Sequence, residues 1–283
     1  MSFASPFWKY HCTGNDFVFK EDSFYLQSLS EEHLAGWIRA LCQRRFGIGA
    51  DGCVLLGKKD DSYSFRYFNA DGRQADFCGN ALLCVAKHVD KPAKIQLKMS
   101  GSFVYPEKED LYACVLEDPI FPSDYAMHTY THLYGSWEVH CITVGVKHAV
   151  VFGITPSLEA LKDLRMQFDA NITFVESQGD HLWVKTYEKG VESCTYGCGS
   201  ASSAIASILY FLHNEKGPFI IRSLGGFLQV HLEEEDQQDK INHITRIRLV
   251  GFPQLTCNGF GESYESWNTK RSQRSRIPRG AYS

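Results

Sequence analysis

Apolar and polar positions alternate over short runs along the chain, which predicts an architecture dominated by β-strands. The runs in the first half are 7–12, 17–19, 53–56, 64–68, 93–99, 101–105 and 111–116. The runs in the second half are 140–144, 149–152, 172–175, 182–187, 218–221, 227–232 and 245–250. A sheet built from such strands needs helices to cover its apolar face.

Helical signals occur in four places between these runs. A capping box, Ser28-Leu-Ser-Glu31, precedes one set of apolar residues at helical spacing. The residues of this set are Leu34, Trp37, Ile38 and Leu41. A short helix is expected to start at 155–159, where Pro and Ser precede Leu and Glu. The segments 81–88 and 201–212 are rich in small and apolar residues, so we expect two buried helices there.

The two halves of the chain repeat the same order of features. Each half opens with a strand, a glycine turn and a second strand, at Gly14 and at Gly145. Each half later contains a polar turn, a Cys–Gly pair and an Ala-rich helix, with the cysteines at Cys78 and Cys198. This repeat predicts an α+β fold of two pseudo-symmetric lobes with a cleft between them.

The expected organisation is an N-terminal lobe over residues 1–120 and a C-terminal lobe over residues 121–262. The candidate boundary is the segment 119–125, which contains proline and aspartate. Residues 263–283 are rich in Lys and Arg and poor in apolar side chains, so we predict a basic, disordered tail.

Composition narrows the class of protein. Of the 283 residues, 44% are hydrophobic and 22% are charged, which is ordinary for a globular chain. The net charge of −4 argues against a nucleic-acid partner. No apolar run approaches ~20 residues, so we expect no membrane span. The N-terminus shows no signal-peptide pattern, so we predict a cytoplasmic protein whose ten cysteines are free thiols. We expect it to be a monomer or a homodimer.

Cys78 and Cys198 are the candidate catalytic residues. A helix N-terminus favours a thiolate through its free N–H groups and its macrodipole. Two such thiols across a cleft could remove a proton from one face of a carbon acid and deliver one to the other face, which inverts the stereocentre. The same N-termini would bind a substrate carboxylate and stabilise an enolate-like transition state, so we expect no cofactor.

Other readings of these residues are weaker. Zinc needs three or four ligands, and Cys194, Cys198 and the scattered histidines lack a usual paired spacing, so no metal is expected. A cysteine hydrolase pairing Cys198 with His148 would leave the second Cys–Gly without a role. The segment 52–58 resembles a phosphate loop, but Lys59 replaces the required Ser or Thr. On spacing alone, the cysteines could also be small hydrophobic core residues.

Seven motifs occur in one order between residues 9 and 259. They are Gly14-Asn-Asp-Phe17, Gly47-Ile-Gly-Ala-Asp-Gly52, Asn69-Ala-Asp-Gly72, Cys78-Gly-Asn80, Asn171-Ile-Thr-Phe-Val175, Tyr187-Glu-Lys-Gly190 and Cys198-Gly-Ser200. Together they resemble the diaminopimelate epimerase family, whose cofactor-independent enzymes convert LL- to meso-diaminopimelate for lysine and peptidoglycan synthesis. The resemblance implies two pseudo-symmetric lobes, each a curved mixed β-sheet wrapped around a central helix, with the active site in the cleft between them.

The resemblance also implies roles for single residues. Cys78 and Cys198 would be the two proton-transfer thiols, and His148 and Glu188 the polar pair that tunes them. A further set would bind a small amino-acid substrate through backbone N–H groups, amides or charge. This set is Asn15, Asn69, Gly79, Asn80, Asn171, Glu188, Lys189, Gly199 and Ser200. Amide side chains both donate and accept hydrogen bonds, which suits a zwitterion.

The chain departs from the family pattern where the far end of the substrate would be held. Val146-Lys-His148 stands in place of the usual Asn-Pro-His, which removes one amide. Lys189 stands in place of an Arg, which keeps the charge but loses the bidentate fork. Ser200 replaces a common Thr, and Leu83 stands where an Arg is frequent. We hypothesise a weaker grip on the distal end and acceptance of shorter amino acids such as glutamate.

Two rival functions stay open on the sequence alone. One is a racemase or epimerase of another amino acid, such as proline or hydroxyproline, although the asparagines and Glu188-Lys189 favour a substrate with a second charged end. The other is a non-catalytic binding protein on the same scaffold, which would bind an amino acid without exchanging its α-proton. The presence of both cysteines favours an isomerase.

Overall fold

Strands make up most of the fold in a computed structural model that describes residues 4–98, 101–117, 123–132, 135–153, 157–234, 244–262, 264 and 267–268. The strands are β1 Ala4–Cys12, β2 Asn15–Glu21, β3 Gly52–Lys59, β4 Ser62–Asn69, β5 Gln74–Ala75, β6 Ala93–Gln96, β7 Gly101–Lys108, β8 Leu111–Glu117, β9 Ser123–His132, β10 Gly135–Val144, β11 Val146–Phe152, β12 Asn171–Gln178, β13 His181–Glu188, β14 Ser193–Thr195, β15 Phe219–Ser223, β16 Gly226–Glu234, β17 Ile244–Gly251 and β18 Gln254–Glu262. The helices are α1 Phe24–Gln27, α2 Glu31–Cys42, α3 Gly79–Val89, α4 Leu158–Phe168 and α5 Gly199–His213.

The N-terminal lobe is a mixed sheet with two crossover connections. β1 and β2 form an antiparallel pair, and α2 lies in the connection from β2 to the parallel strand β3. β3 pairs antiparallel with β4, and α3 lies in the connection from β4 to the parallel strand β6. β6, β7 and β8 then form an antiparallel meander.

The C-terminal lobe repeats this path element by element. β10 and β11 form an antiparallel pair, and α4 precedes the parallel strand β12. β12 pairs antiparallel with β13, α5 precedes the parallel strand β15, and β15, β16 and β17 form the meander. The matched pairings confirm the predicted α+β fold of two pseudo-symmetric lobes with mixed sheets.

The lobes are joined by exchanged strands. β9 follows the last strand of the N-terminal meander but pairs with β10 of the C-terminal lobe. β18 follows the last strand of the C-terminal meander but pairs with β1, with Ala4 opposite Glu262. β8 and β17 also pair with each other, so hydrogen bonds run from one sheet into the other.

Helices α3 and α5 lie at the centre of the lobes. α3 contacts β1, β7, β8 and β17, and α5 contacts β10, β11, β16 and β17. Residues 79–86 of α3 are all buried, which explains its small and apolar composition. In α5, Ser203 and Ser207 are buried too, and each hydroxyl donates to a backbone carbonyl one turn earlier. Both predicted buried helices are confirmed.

Several local predictions differ from the structure. The N-cap of α2 is Ser30, whose side chain accepts a hydrogen bond from the backbone N–H of His33. The predicted capping box at Ser28 is therefore wrong, because it places the N-cap two residues too early. The short helix α1 and the strands β9 and β18 were not predicted from the alternation of apolar residues. The candidate boundary at 119–125 lies mostly outside the described residues.

The start of the segment 263–283 is packed against the N-terminal lobe. Tyr264 is buried and its ring meets that of Trp37 in α2 edge to face, with 6.1 Å between centroids. Trp267 packs against the same apolar cluster. The remainder of this segment lies outside the described residues. No helix in the described part of the chain is long and apolar enough to cross a membrane.

Candidate active site

The two Cys–Gly pairs lie where the chain enters the two central helices. Cys78 is the N-cap of α3 and Cys198 is the N-cap of α5, and both residues have extended backbone dihedrals. Both residues are partly exposed, whereas most of the chain's other cysteines are buried. The structure therefore places each predicted thiol at a helix start, as the sequence indicated.

The two helix starts touch each other. A Cβ atom added to Gly199 would lie 3.4 Å from the Cα atom of Gly79, and one added to Gly79 would lie 2.9 Å from Leu249 Cδ2. A side chain at either glycine would meet Leu249 Cδ2, at 2.9 Å from position 79 and 3.2 Å from position 199, so Leu249 would have to move. The Asn80 amide donates to the Gly197 carbonyl over 3.2 Å, which links the two lobes directly. These contacts bring the two helix starts together, and the pairing of the two thiols across one substrate cleft stays a prediction.

Cys78 faces the neutral side-chain amide of Asn15, which is in turn hydrogen-bonded to the carboxylate of Asp51. The Cys78 thiol lies 4.0 Å from Asn15 Oδ1, its hydrogen-bond acceptor. The Asn15 Nδ2 group donates to Asp51 Oδ2 over 3.1 Å. A carboxylate only accepts hydrogen bonds, so Asp51 decides which end of the Asn15 amide faces the thiol. Asp51 lies in the predicted glycine-rich loop, but sequence reasoning gave it no role.

Asp51 is itself held by a small ion network. The Arg44 guanidinium binds both carboxylate oxygens of Asp16, at 3.0 and 2.9 Å, and also reaches Asp51 Oδ1 at 2.6 Å. Lys9 forms a second ion pair with Asp16 at 3.0 Å. Burial alone would raise the pKa of Asp16, but hydrogen bonds from Arg44, Lys9 and the Asp51 backbone lower it to about 2. Asp16 therefore stays ionised at neutral pH.

Cys198 lies beside an acidic side chain, that of Glu188. The Ser200 hydroxyl lies 3.3 Å from the Cys198 sulfur. Glu188 forms a hydrogen bond with the Cys198 thiol and accepts one from the Thr195 hydroxyl at 2.6 Å. Burial raises the pKa of Glu188, although the Thr195 and Cys198 hydrogen bonds oppose the rise. The structure therefore places Glu188 beside one of the two thiols, that of Cys198.

Burial governs the protonation of both thiols. Burial raises the pKa of Cys78 to about 12, and the Glu188 carboxylate adds to the rise, against hydrogen bonds from the backbone N–H groups of Ala81 and Asn80 that lower it. Burial raises the pKa of Cys198 well above its ordinary value, and the Glu188 carboxylate adds to the rise while Ser200 opposes it. The helix N-termini therefore favour the thiolates, but burial outweighs them.

His148 is a buried neutral side chain. It is 1% exposed, and burial lowers its pKa to about 3. Neither ring nitrogen has a hydrogen-bond partner among the described residues. His148 in β11 lies opposite Asn171 in the parallel strand β12. Glu188 lies in β13, on the other side of β12. Its predicted role in tuning a thiol stays a prediction.

The predicted contacts to the far end of a substrate lie at the edge of the C-terminal lobe. Asn171 Oδ1 accepts from the backbone N–H of Lys189 at 2.8 Å. The Lys189 ammonium is paired with Asp169 Oδ2 at 2.7 Å. Val146 is exposed at the start of β11. Lys189 thus already has a carboxylate partner in the protein.

Asn69 lies at the end of β4 and is exposed, with its side-chain oxygen 3.0 Å from the Tyr67 hydroxyl. Tyr67 was missed as a site residue, because the alternation along β4 indicates only that its ring faces the core. Within the described residues, no group of three or more His, Cys, Asp and Glu side chains is arranged to hold a metal ion.

Comparisons with known proteins agree with this geometry. A family model described as diaminopimelate epimerase matches residues 7–101. The diaminopimelate epimerase of Methanocella arvoryzae is 30% identical over 249 residues, which cover 79% of this chain and 88% of the relative. The diaminopimelate epimerase of Helicobacter pylori strain Shi470 is 28% identical over 284 residues, covering 90% and 97%.

A solved structure shares the fold at low sequence identity. The crystal structure of a probable proline racemase from Agrobacterium radiobacter superposes with a TM-score of 0.67 and 14% identity. The superposition covers 90% of this chain and 92% of that chain. At this identity the likeness shows the fold alone.

Proposed function

Because the chain belongs to the diaminopimelate epimerase family and is therefore an isomerase, we propose that it interconverts LL- and meso-2,6-diaminopimelate. The observation that carries the proposal is the contact between the two Cys–Gly helix starts, through Gly79 and Gly199. On this proposal one cleft would hold the two thiols and two sets of helix N–H groups. This activity would place the protein in lysine and peptidoglycan precursor synthesis.

The proposed reaction moves one proton off the α-carbon and another onto it. With substrate bound, one cysteine is a thiolate and the other a thiol. The thiolate takes the α-proton, the carbon becomes planar, and the opposite thiol gives its proton to the other face. The two cysteines have then exchanged protonation states, and the reverse reaction exchanges them back. Proton count is conserved, and the scheme needs no pyridoxal phosphate.

Backbone N–H groups at the two helix starts would stabilise the negative charge that develops on the reacting carboxylate. These groups belong to Gly79, Asn80, Gly199 and Ser200. Donors fixed before the reaction cost no reorganisation in the transition state. The side chain of Asn80 is buried in its bond to the Gly197 carbonyl, so its contribution to substrate runs through its backbone.

Glu188 and His148 would act on the thiols rather than on the carbon. Glu188 touches Cys198, so its charge disfavours the Cys198 thiolate and keeps that residue a proton donor. Asn15, Asn69 and Asn171 would hold the polar groups of the substrate. Asn15 presents its carbonyl oxygen towards Cys78, which suits an ammonium group.

The test is deuterium wash-in from D2O at the α-carbon, followed by NMR with reductant present. LL- and meso-diaminopimelate are expected to exchange, and Cys78→Ala and Cys198→Ala each to lose epimerisation by at least about 1,000-fold. Cys257→Ala, which removes an exposed thiol on β18, is the matched control. Full epimerisation by either single variant would contradict the two-thiol mechanism.

A second candidate is acceptance of glutamate, favoured by the Lys189–Asp169 pair. A lysine already paired at 2.7 Å offers less charge to a distal carboxylate than a free bidentate arginine would. We expect α-proton exchange with glutamate, and Lys189→Arg should shift the rate ratio towards diaminopimelate by about 3- to 10-fold. If glutamate shows no exchange at high enzyme concentration, this candidate fails while the main proposal stands.

A further inference from the structure

Tyr67 occupies a space that exists because residue 52 is glycine. Tyr67 lies on β4 and Gly52 on β3 beside it, and the Tyr67 side chain is buried. A Cβ atom on residue 52 would lie 2.6 Å from Tyr67 Cε2 and 3.0 Å from its hydroxyl oxygen. The ring also meets Phe17 of β2 edge to face, with 5.8 Å between centroids. The ring is therefore packed against residues of both β2 and β3.

The hydroxyl of this fixed ring points to the end of the strand, where the candidate site begins. Side chains two residues apart on a strand share a face, which brings Tyr67 and Asn69 together. The Tyr67 hydroxyl donates to Asn69 Oδ1 over 3.0 Å. Because this bond fixes the oxygen on the side of Tyr67, the N–H groups of the Asn69 amide face away from the ring, and Asn69 is exposed.

We propose that Tyr67 is a positioning residue of this site, which holds the Asn69 oxygen and so directs the Asn69 N–H groups towards the substrate. The inference rests on the proposed function. It gives the N-terminal lobe a pair of oriented asparagines with opposite polarity. Asp51 turns the oxygen of Asn15 into the site, and Tyr67 turns the nitrogen of Asn69 into it.

The same hydroxyl lies near the reacting thiol and lowers the pKa of Cys78, against the larger effect of burial. A phenol has one proton to donate, so in the structure it serves Asn69, and it turns to Cys78 only when that residue is a thiolate. Burial raises the pKa of Tyr67 itself well above its ordinary value, so the phenol keeps its proton and stays a donor. A purely packing role would need the ring alone, and phenylalanine would fill it equally well.

The experiment compares Tyr67→Phe, Asn69→Ala and the double variant in the wash-in assay with diaminopimelate. Tyr67→Phe should raise KM about 5- to 10-fold with a smaller change in kcat, because the Asn69 amide is no longer oriented. In the Asn69→Ala background the same change should add less than about 2-fold to KM. Equal KM in wild type and Tyr67→Phe, or full additivity in the double variant, would overturn the proposal.

Tyr63→Phe is the matched control. Tyr63 lies on the same face of β4, about 13 Å further from the site at the rise of a strand, and packs against the same core. Its variant should keep the wild-type KM. If Tyr67→Phe raises KM no more than Tyr63→Phe does, the hydroxyl acts through general packing and the proposal fails.

A readout without substrate separates this proposal from the proposed function. Iodoacetamide labelling at pH 8 is followed at Cys78 and Cys198 by mass spectrometry. Tyr67→Phe should slow labelling of Cys78 about 3-fold relative to Cys198, since a higher pKa lowers the thiolate fraction but raises its nucleophilicity. If Tyr67→Phe slows labelling of Cys78 but the wild-type protein exchanges the α-proton of no amino acid, the proposed function is wrong and the role of Tyr67 stands. If the labelling ratio is unchanged, Tyr67 does not have the proposed role.

Discussion

The two lobes share one path of the chain but not one chemistry at their cysteines. In the N-terminal lobe, Cys78 faces the neutral Asn15 amide, and the carboxylates behind it are paired with Arg44. In the C-terminal lobe, Cys198 faces the carboxyl group of Glu188 directly. The backbone N–H groups at the helix starts are matched, so the side chains behind the thiols make the difference.

This difference sets which thiol ionises more readily. Burial raises both pKa values, and the Glu188 carboxylate raises both as well; it is the largest cause after burial for Cys198, whereas for Cys78 it ranks behind the Ala81 backbone hydrogen bond. We therefore expect Cys78 to ionise more readily than Cys198 in the free enzyme. A duplicated scaffold can thus supply two equivalent positions and still assign them opposite starting roles through the side chains around them.

Removal of the Glu188 charge should have the largest effect on this asymmetry. Glu188→Gln keeps the size and can still accept from Thr195, but it no longer disfavours the Cys198 thiolate. We expect kcat to fall about 10- to 100-fold and the limb of the pH profile that reports Cys198 to move to lower pH. The pH dependence of α-deuterium wash-in measures both.

Glu192→Gln is the control for that experiment, because Glu192 is an acid of the same lobe that is paired with Arg165. Its pH profile should match that of the wild type. A Glu188→Gln profile that also matches the wild type would show that the two thiols are not distinguished by this carboxylate.

Removal of the Ser200 hydroxyl should widen the pKa difference between the two thiols, with a smaller effect than the Glu188 substitution has. The hydroxyl lies 3.3 Å from the Cys198 sulfur and lowers the pKa of that thiol. In Ser200→Ala, iodoacetamide labelling of Cys198 at pH 8 should slow about 3-fold, with Cys78 unchanged. Ser202→Ala is the control, because the Ser202 hydroxyl donates to the Cys198 backbone carbonyl instead. Equal slowing in both variants would assign the effect to the helix start as a whole.

The smallest effect concerns stability, through the ion network behind Asn15. The pKa of Asp16 is lowered to about 2, so its contribution is present above its unfolded value near 4 and is lost as pH falls towards 2. Asp16→Asn should lower the free energy of unfolding at pH 7 by about 1–2 kcal/mol, a deficit that shrinks below pH 4. Urea unfolding at several pH values measures this.

The comparison variant for stability is Asp169→Asn in the C-terminal lobe, whose carboxylate is exposed beside Lys189. It should destabilise the protein less than Asp16→Asn does, because solvent screens exposed pairs. A deficit in Asp16→Asn that stayed constant from pH 7 to pH 3 would show that the ionised carboxylate is not its source.

Local patterns predicted most of the fold, and long-range pairing accounts for what they missed. The runs at 81–88 and 201–212 gave α3 and α5, since small and apolar residues fit a helix surrounded by strands. β18 carries two glycines and several exposed residues, and nothing in that segment indicates its partner. It is a strand because β1, far away in the chain, pairs with it.

The candidate site divides in the same way. Residues with unusual chemistry, such as Cys78 and Cys198, could be picked out by type and position. Tyr67 and Asp51 could not, because their contribution is the direction in which they turn Asn69 and Asn15. Such orientation depends on contacts between strands and loops that only the folded structure supplies.

The strand exchange has a consequence for the order in which the protein is made. Of the described strands, β1 is synthesised first, yet one of its two neighbours, β18, is synthesised last. Until then the N-terminal lobe carries an open strand edge, which is a site for pairing with another nascent chain. The C-terminal lobe receives β9 before its own first strand is made. The lobe that is translated first is therefore completed last, and the Cys78 half of the site matures only when the final strand closes it.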